Sequence, residues 1–274
     1  MLLKHELCWT NPFVLPKLKQ KDNPFLKKKS RICVGLGRIG GWWETVLMQP
    51  LPLRRDLLLL RRCAILAAEE GMPMTEAEWL ACNHPRPMLE FLRGKVSDRK
   101  LRLFACGCCR RLGEWYSDHQ RAAVALAEDF ADGLATVQEL INTGLSIRSN
   151  GRGWVAPWAV TKPNAWMAAQ MASQYAARCS FPNIACEILG QTEFLRHIAG
   201  DPFRTVVIDG AHRSSVARDI AARAYQARDF SDMPILADAL EDAGCTNRDI
   251  LDHCRQPGEH VRGCWVVDLV LGKE

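Results

Sequence analysis

Between Phe230 and Glu274 the chain carries helix start, stop and face signals that agree with one another. They restrict this stretch to a compact helical unit. Asp232 stands at a cap position and Pro234 in the first turn, where its fixed φ suits a helix. Ile235, Leu236, Ala239, Leu240 and Ala243 recur at helical spacing and form one buried stripe. Gly244 ends that helix. Thr246 with Asp249 starts the next, with Ile250, Leu251 and Cys254 facing inward. Gly258 and Gly263 bound a loop that holds His260 and Arg262. Cys264–Leu271 is too short for periodicity to separate a strand from a helix; its helical surroundings favour a helix.

The same punctuation runs back to Met74. Thr75 and Glu78 have capping-box spacing. Ser97 caps a helix from Asp98 to about Tyr116, striped by Leu101, Phe104, Ala105, Cys108 and Leu112. Asp118 caps a helix that stops at Gly133, and Thr136 caps a short one to Thr143, before Gly144. Further helices are predicted over Ala165–Cys179, Ile184–Ala199 and Ser214–Arg228. Leu145–Asn164 contains two glycines and two prolines and reads as a loop, a candidate linker or binding loop. Arg204–Asp209 reads as a short extended piece. The expectation is an all-α fold: one compact domain of about eight or nine helices over residues 74–274.

Residues 1–73 differ in kind. They carry 13 Lys/Arg against 6 Asp/Glu, a net of +7, whereas residues 74–274 carry 23 against 25, a net of −2. The basic balance of the chain therefore belongs to a Pro-interrupted N-terminal tract, read as an extension or a mis-assigned start. Gly35, Gly37 and Gly40 match GxGxxG, but Pro50 cuts short the following helix and no βαβ alternation follows, so a dinucleotide site is not expected. No apolar run approaches the roughly 20 residues of a membrane span. With 12 cysteines in a long chain and no secretory h-region, the expectation is a cytoplasmic protein with reduced thiols.

Two stretches, MTEAEWLACNHPRPMLEFLRGKVSDRKLRLFACGCCRRL and FSDMPILADALEDAGC through HVRGCWVVDLVLGKE, resemble a paralogous family of planctomycete bacterial proteins. The resemblance covers roughly residues 74–274 and is strongest at those two ends. It implies a bacterial lineage and a shared fold, and brings with it no activity, cofactor or catalytic residue.

No GxSxG, HExxH or phosphate-loop motif is present, and the acidic residues Asp238, Glu241 and Asp242 read as the solvated face of a helix. The leading expectation is a non-enzymatic interaction or scaffold module with an unidentified protein partner and no cofactor. Two rivals remain. One is a metal-binding or enzymatic site at the C-terminal polar cluster, with His253, Arg255, His260, Arg262 and Trp265 as candidate binding residues. No metal set is predicted there, because the cluster has no CxxC pair and adjacent His253 and Cys254 leave a helix about 100° apart; Cys254, His260 and Cys264 are its weak metal candidates. Cys106 and Cys109 do form CxxC, but in mid-helix among apolar residues, where burial raises a thiol pKa. The other rival is nucleic-acid binding through Arg99, Lys100, Arg102, Arg110 and Arg111, with Glu128, Asp129 and Asp132 on the next helix as the groups that would neutralise that face.

Overall fold

The computed structural model describes residues 74–149, 155–180 and 182–273. The basic tract 1–73, with its GxGxxG, lies outside the described residues, as does the segment 150–154 of the expected loop.

The fold is all-α. Among the described residues there are twelve α-helices: α1 (Glu76–Ala81), α2 (Pro85–Leu92), α3 (Asp98–Arg110), α4 (Asp118–Ala131), α5 (Val137–Ser149), α6 (Val155–Ala159), α7 (Ala165–Cys179), α8 (Ile184–Ala199), α9 (Ser215–Ala227), α10 (Met233–Asp242), α11 (Arg248–Arg255) and α12 (Trp265–Leu271). Their starts follow local chemistry. Thr75 and Glu78 close a capping box on α1, and Ser117 and Gln120 close another on α4. The Ser97 and Ser214 hydroxyls accept from the first turns of α3 and α9. Each bond satisfies an amide that the helix itself leaves without a partner.

Several expectations need correction. Twelve helices stand among the described residues where about eight or nine are expected, and Asn247 rather than Thr246 caps α11. The helix after Ser97 ends at Arg110, and a 3₁₀ turn over Gly113–Trp115 carries the chain to Tyr116. The helix after Thr136 does not stop at Thr143 but runs through Gly144 to Ser149. A Cβ at Gly144 would overlap the Thr161 hydroxyl, so this glycine serves a close approach between segments rather than a helix end. The expected loop over 145–164 accordingly contains the end of α5 and all of α6. Val206–Asp209 has no regular secondary structure, since a lone extended segment with no strand beside it has nothing to pair its backbone groups with. Cys264–Leu271 resolves as helix α12.

The helices build two adjoining cores. In the first, α3 packs against α7, α4, α8 and α6, and every residue from Leu101 to Cys109 is buried. Alanines 165, 168, 169, 172 and 176 line the inner face of α7 and let it lie close to α3. Cys106, Cys108 and Cys109 are part of this packing, and burial pushes all three thiols well above their ordinary pKa. The second core is formed by α9 to α12 around Ile220, Tyr225, Met233, Leu236, Leu240, Ile250, Leu251, Val266 and Val267. Cys245 and Cys254 are buried within it. The cores meet where α8 touches α12.

Candidate functional site

The seam between the cores is polar, and Arg99, Lys100 and Arg110 of α3 are turned into it, while Arg102 is held inside the first core and Arg111 lies against α8. Arg99 donates to Asp132, the C-cap of α4, at 2.9 Å and grips Asp268 on α12 through two bonds of 2.8 and 3.0 Å. Tyr225 on α9 receives an N–H from Arg99 and donates its own hydroxyl to Asp132 at 2.7 Å. Lys100 donates to the Ile198 carbonyl at 2.7 Å and stands 3.7 Å from Asp268. Arg102, 2% exposed, donates to the carbonyls of Val160, Lys162 and Pro163 at 2.7–2.8 Å. Arg110 binds Glu128 through two bonds, and Arg111 binds Glu187 and Glu259. All five residues of the predicted nucleic-acid face thus hold partners inside the protein, Glu128 and Asp132 among them.

The C-terminal candidates divide. Arg255 reaches away from the seam to Asp238 and Glu241 on α10, at 2.6 and 2.5 Å. Arg262 enters the seam, donating to the Tyr225 carbonyl and to Glu128. His253, His260 and Trp265 come together, and Cys264 lies with them. Cys254 points into the second core instead, as the angle between neighbours on a helix requires.

His197, from the last turn of α8, completes the group. Its ring lies 4.9 Å from that of His253 and 4.7 Å from that of His260, centroid to centroid; the latter two are 5.0 Å apart. One potential ligand nitrogen from each of the three lies within 4.8 Å of the others. His197 and His253 are only 6% and 7% exposed and Cys264 is fully buried. His197 is positioned because it follows Phe194 by three residues on the buried stripe of α8. Gly258 lies against it, where a Cβ would stand 3.2 Å from Nε2. His253 comes from α11, His260 from the loop after it, and Cys264 caps α12.

The hydrogen bonds run in one direction. The Trp265 indole N–H donates to His253 Nδ1 at 3.1 Å, which leaves the proton of neutral His253 on Nε2. That atom is 3.1 Å from Cys264 Sγ, and Sγ is 3.7 Å from His260 Nδ1. His197 Nδ1 is buried without a hydrogen-bond partner. Burial dominates the proton affinities. It lowers His197 to about 4, with the charges of His260 and Arg196 adding to the effect, and lowers His260 to about 4. It lowers His253 to about 2, with His197 and His260 contributing. The Cys264 thiol is raised by burial to about 11, against the pull of the Val267 and Val266 backbone amides. Three imidazoles thus converge, with the buried Cys264 thiol against two of them and half-buried His260 on the outer side.

Sequence spacing missed His197, 56 positions before His253. Its one local signal was a polar ring on an apolar helical stripe. The seam acids Asp132 and Asp268, and Tyr225, gave no local signal as partners of one another. No family model, no curated protein and no solved structure matches the chain.

Proposed function

We propose that residues 74–273 form a non-enzymatic module that binds one transition-metal ion of the zinc class at His197, His253, His260 and Cys264. The carrying observation is the convergence of three imidazoles, two buried and one half-buried, with His197 Nδ1 lacking any hydrogen-bond partner, since a buried polar atom without a hydrogen bond costs stability unless it serves another purpose. Neutral imidazole and thiolate are the ligands that zinc prefers, and four protein ligands make a closed, structural site rather than a catalytic one. Tetrahedral zinc requires ligand nitrogens about 3.3 Å apart. His260, on the loop between Gly258 and Gly263, supplies the movement that closes the set. The ion would then tie α8 of the first core to α11 and α12 of the second.

Ligation through His253 Nε2 moves the ring proton to Nδ1 and breaks the hydrogen bond from Trp265. Gln256, whose side-chain amide lies 3.2 Å from Nδ1, is placed to accept that proton through its oxygen once the amide turns. Zinc loading is therefore expected to shift the emission of Trp265, read as the difference between the parent chain and Trp265→Phe. Elemental analysis after zinc dialysis is expected to find one ion per chain. His197→Ala and Cys264→Ser should bind more weakly by at least the roughly 10- to 100-fold that loss of a mere outer-shell partner costs, and Cys254→Ser should bind as the parent does. A folded parent chain that retains no ion contradicts the reading.

Interaction with a protein partner, the other part of this reading, is supported by α5. Val137 and Leu145 are exposed on one stripe of that helix, and Leu134 is exposed just before it, an apolar patch of the kind that marks contact surfaces. Sedimentation at rising concentration tests self-association through this stripe. Association abolished by Leu145→Lys supports it, and a monomer at every concentration removes it.

A further inference from the structure

Beside the imidazole cluster, and sharing His260 with it, lies a cavity of about 130 Å³ whose lining also includes Arg110, Glu128, Arg228, Phe230 and Arg262. We propose that it is a binding site for a small free oxyanion of the phosphate and sulfate class.

The argument begins with donors and acceptors. Glu128 is 2% exposed and receives three guanidinium groups. Arg110 gives it two N–H groups, Arg228 two and Arg262 one. Four of the five converge on Oε2 and fill it, while Oε1 accepts one. Each guanidinium carries five N–H donors, and Arg110 and Arg228 have donors beyond those Glu128 takes. The charge balance points the same way. Three cations meet one buried carboxylate. The other acid of the lining, Glu259, is held by Arg111 at 2.5 Å, and Arg262 has Asp132 and Asp129 at 3.7 and 4.0 Å. Arg110 and Arg228 thus carry the charge that is not offset. An oxyanion brings several acceptor lone pairs and negative charge to a site short of both.

The backbone supplies an independent observation. Arg228 is the only non-glycine residue with positive φ among the described residues; it ends α9 at φ 56° and ψ 30°. Glycine occupies such a position without strain, and arginine does not. The chain accepts the strained conformation and thereby places a guanidinium on Glu128 at the rim of the cavity. Strained backbone of this kind collects at binding sites. Phe230, two residues on, lines the cavity beside His260, with the rings 6.4 Å apart.

Arg228→Gly is the discriminating variant, because glycine suits the local backbone while removing the guanidinium. Calorimetric titration with inorganic phosphate and with sulfate, against chloride at matched ionic strength, reads binding directly. The expected result is saturable binding of phosphate or sulfate but not chloride, weakened about tenfold or more in a folded Arg228→Gly chain. Repeating the titration in chelator with the zinc site emptied should leave the anion affinity unchanged. Absence of saturable binding, unchanged affinity in Arg228→Gly, or binding that requires the metal ion would each overturn the proposal.

Discussion

The second core and the seam beside it occupy neighbouring space and are built from opposite materials. Around Leu236, Leu240, Ile250 and Val267 the interior is aliphatic and continuous, so its cohesion comes from apolar area withdrawn from water, which needs no particular partner. Between the cores, Arg99, Asp132, Tyr225 and Asp268 are buried or nearly so and stand only because each has a partner. A core of the first kind tolerates exchange of one apolar side chain for another of similar volume. A seam of the second kind tolerates no single loss, because the charge left behind remains buried. It specifies how the two cores meet, where apolar packing alone would allow them to slide.

The largest effect should come from breaking one seam partnership. Asp268→Ala leaves Arg99 without its two-bond partner and should cost about 3–5 kcal/mol in denaturant unfolding. A loss below about 1 kcal/mol would mean that the seam is dispensable. Replacing both partners, as Arg99→Met with Asp268→Leu, should recover part of that loss, because the guanidinium goes with its carboxylate and only Lys100, still bonded to the Ile198 carbonyl, loses a charge partner. Asp132 then still has Tyr225, Arg262 and Lys273.

Leu236→Ala in the second core should cost about 3 kcal/mol, the ordinary consequence of lost contact and a residual cavity, and a second apolar replacement should not rescue it. Rescue by a distant change would show that the core is no different in kind from the seam. Gly144→Ala is expected to cost about 1–3 kcal/mol, because the added methyl overlaps Thr161 in the first core. An unchanged midpoint would show that α5 and Thr161 separate freely.

Acid should separate the two regions at smaller amplitude. Burial alone would raise the Glu128 and Asp132 carboxyls. The hydrogen bonds and charges of Arg110 and Arg228 on the one, and of Tyr225 and Arg99 on the other, outweigh it and hold both below their ordinary values. A carboxyl lowered in the folded state contributes stability above its unfolded pKa and loses it as pH falls through the folded value. These two therefore act fully above about pH 4.5 and fail below it. The buried imidazoles, lowered in the folded state, lose their share earlier, from the ordinary histidine range downward. Leu236→Ala should keep the parent's acid slope and Glu128→Gln should flatten it. Identical slopes in the two variants would contradict the assignment of acid sensitivity to the seam.

The helices were legible because their signals are local. Thr75 with Glu78 and Ser97 before α3 announce themselves within one turn. The seam was not, because its partners are distant in sequence. Within the first core the same holds of Arg102, which looks like a surface cation until the carbonyls of Val160, Lys162 and Pro163 are brought against it. Gly144 looks like a terminator until Thr161 arrives. Of the candidate site, His253, His260, Cys264 and Trp265 were within reach because they fall in one short stretch, and the helical angle between His253 and Cys254 correctly sent them apart. His197 was not within reach, since its pairing with them exists only once α8 meets α12.

The central claim is that an imidazole–thiolate site joins the two cores. The most direct test is the electronic spectrum of the chain loaded with cobalt(II), which takes zinc's place and reports its ligands. The account predicts intense tetrahedral bands with a thiolate-to-cobalt charge-transfer absorption. Cys264→Ser should lose that absorption and Cys254→Ser should keep it. Weak octahedral bands, or a charge-transfer absorption that survives Cys264→Ser, would contradict it.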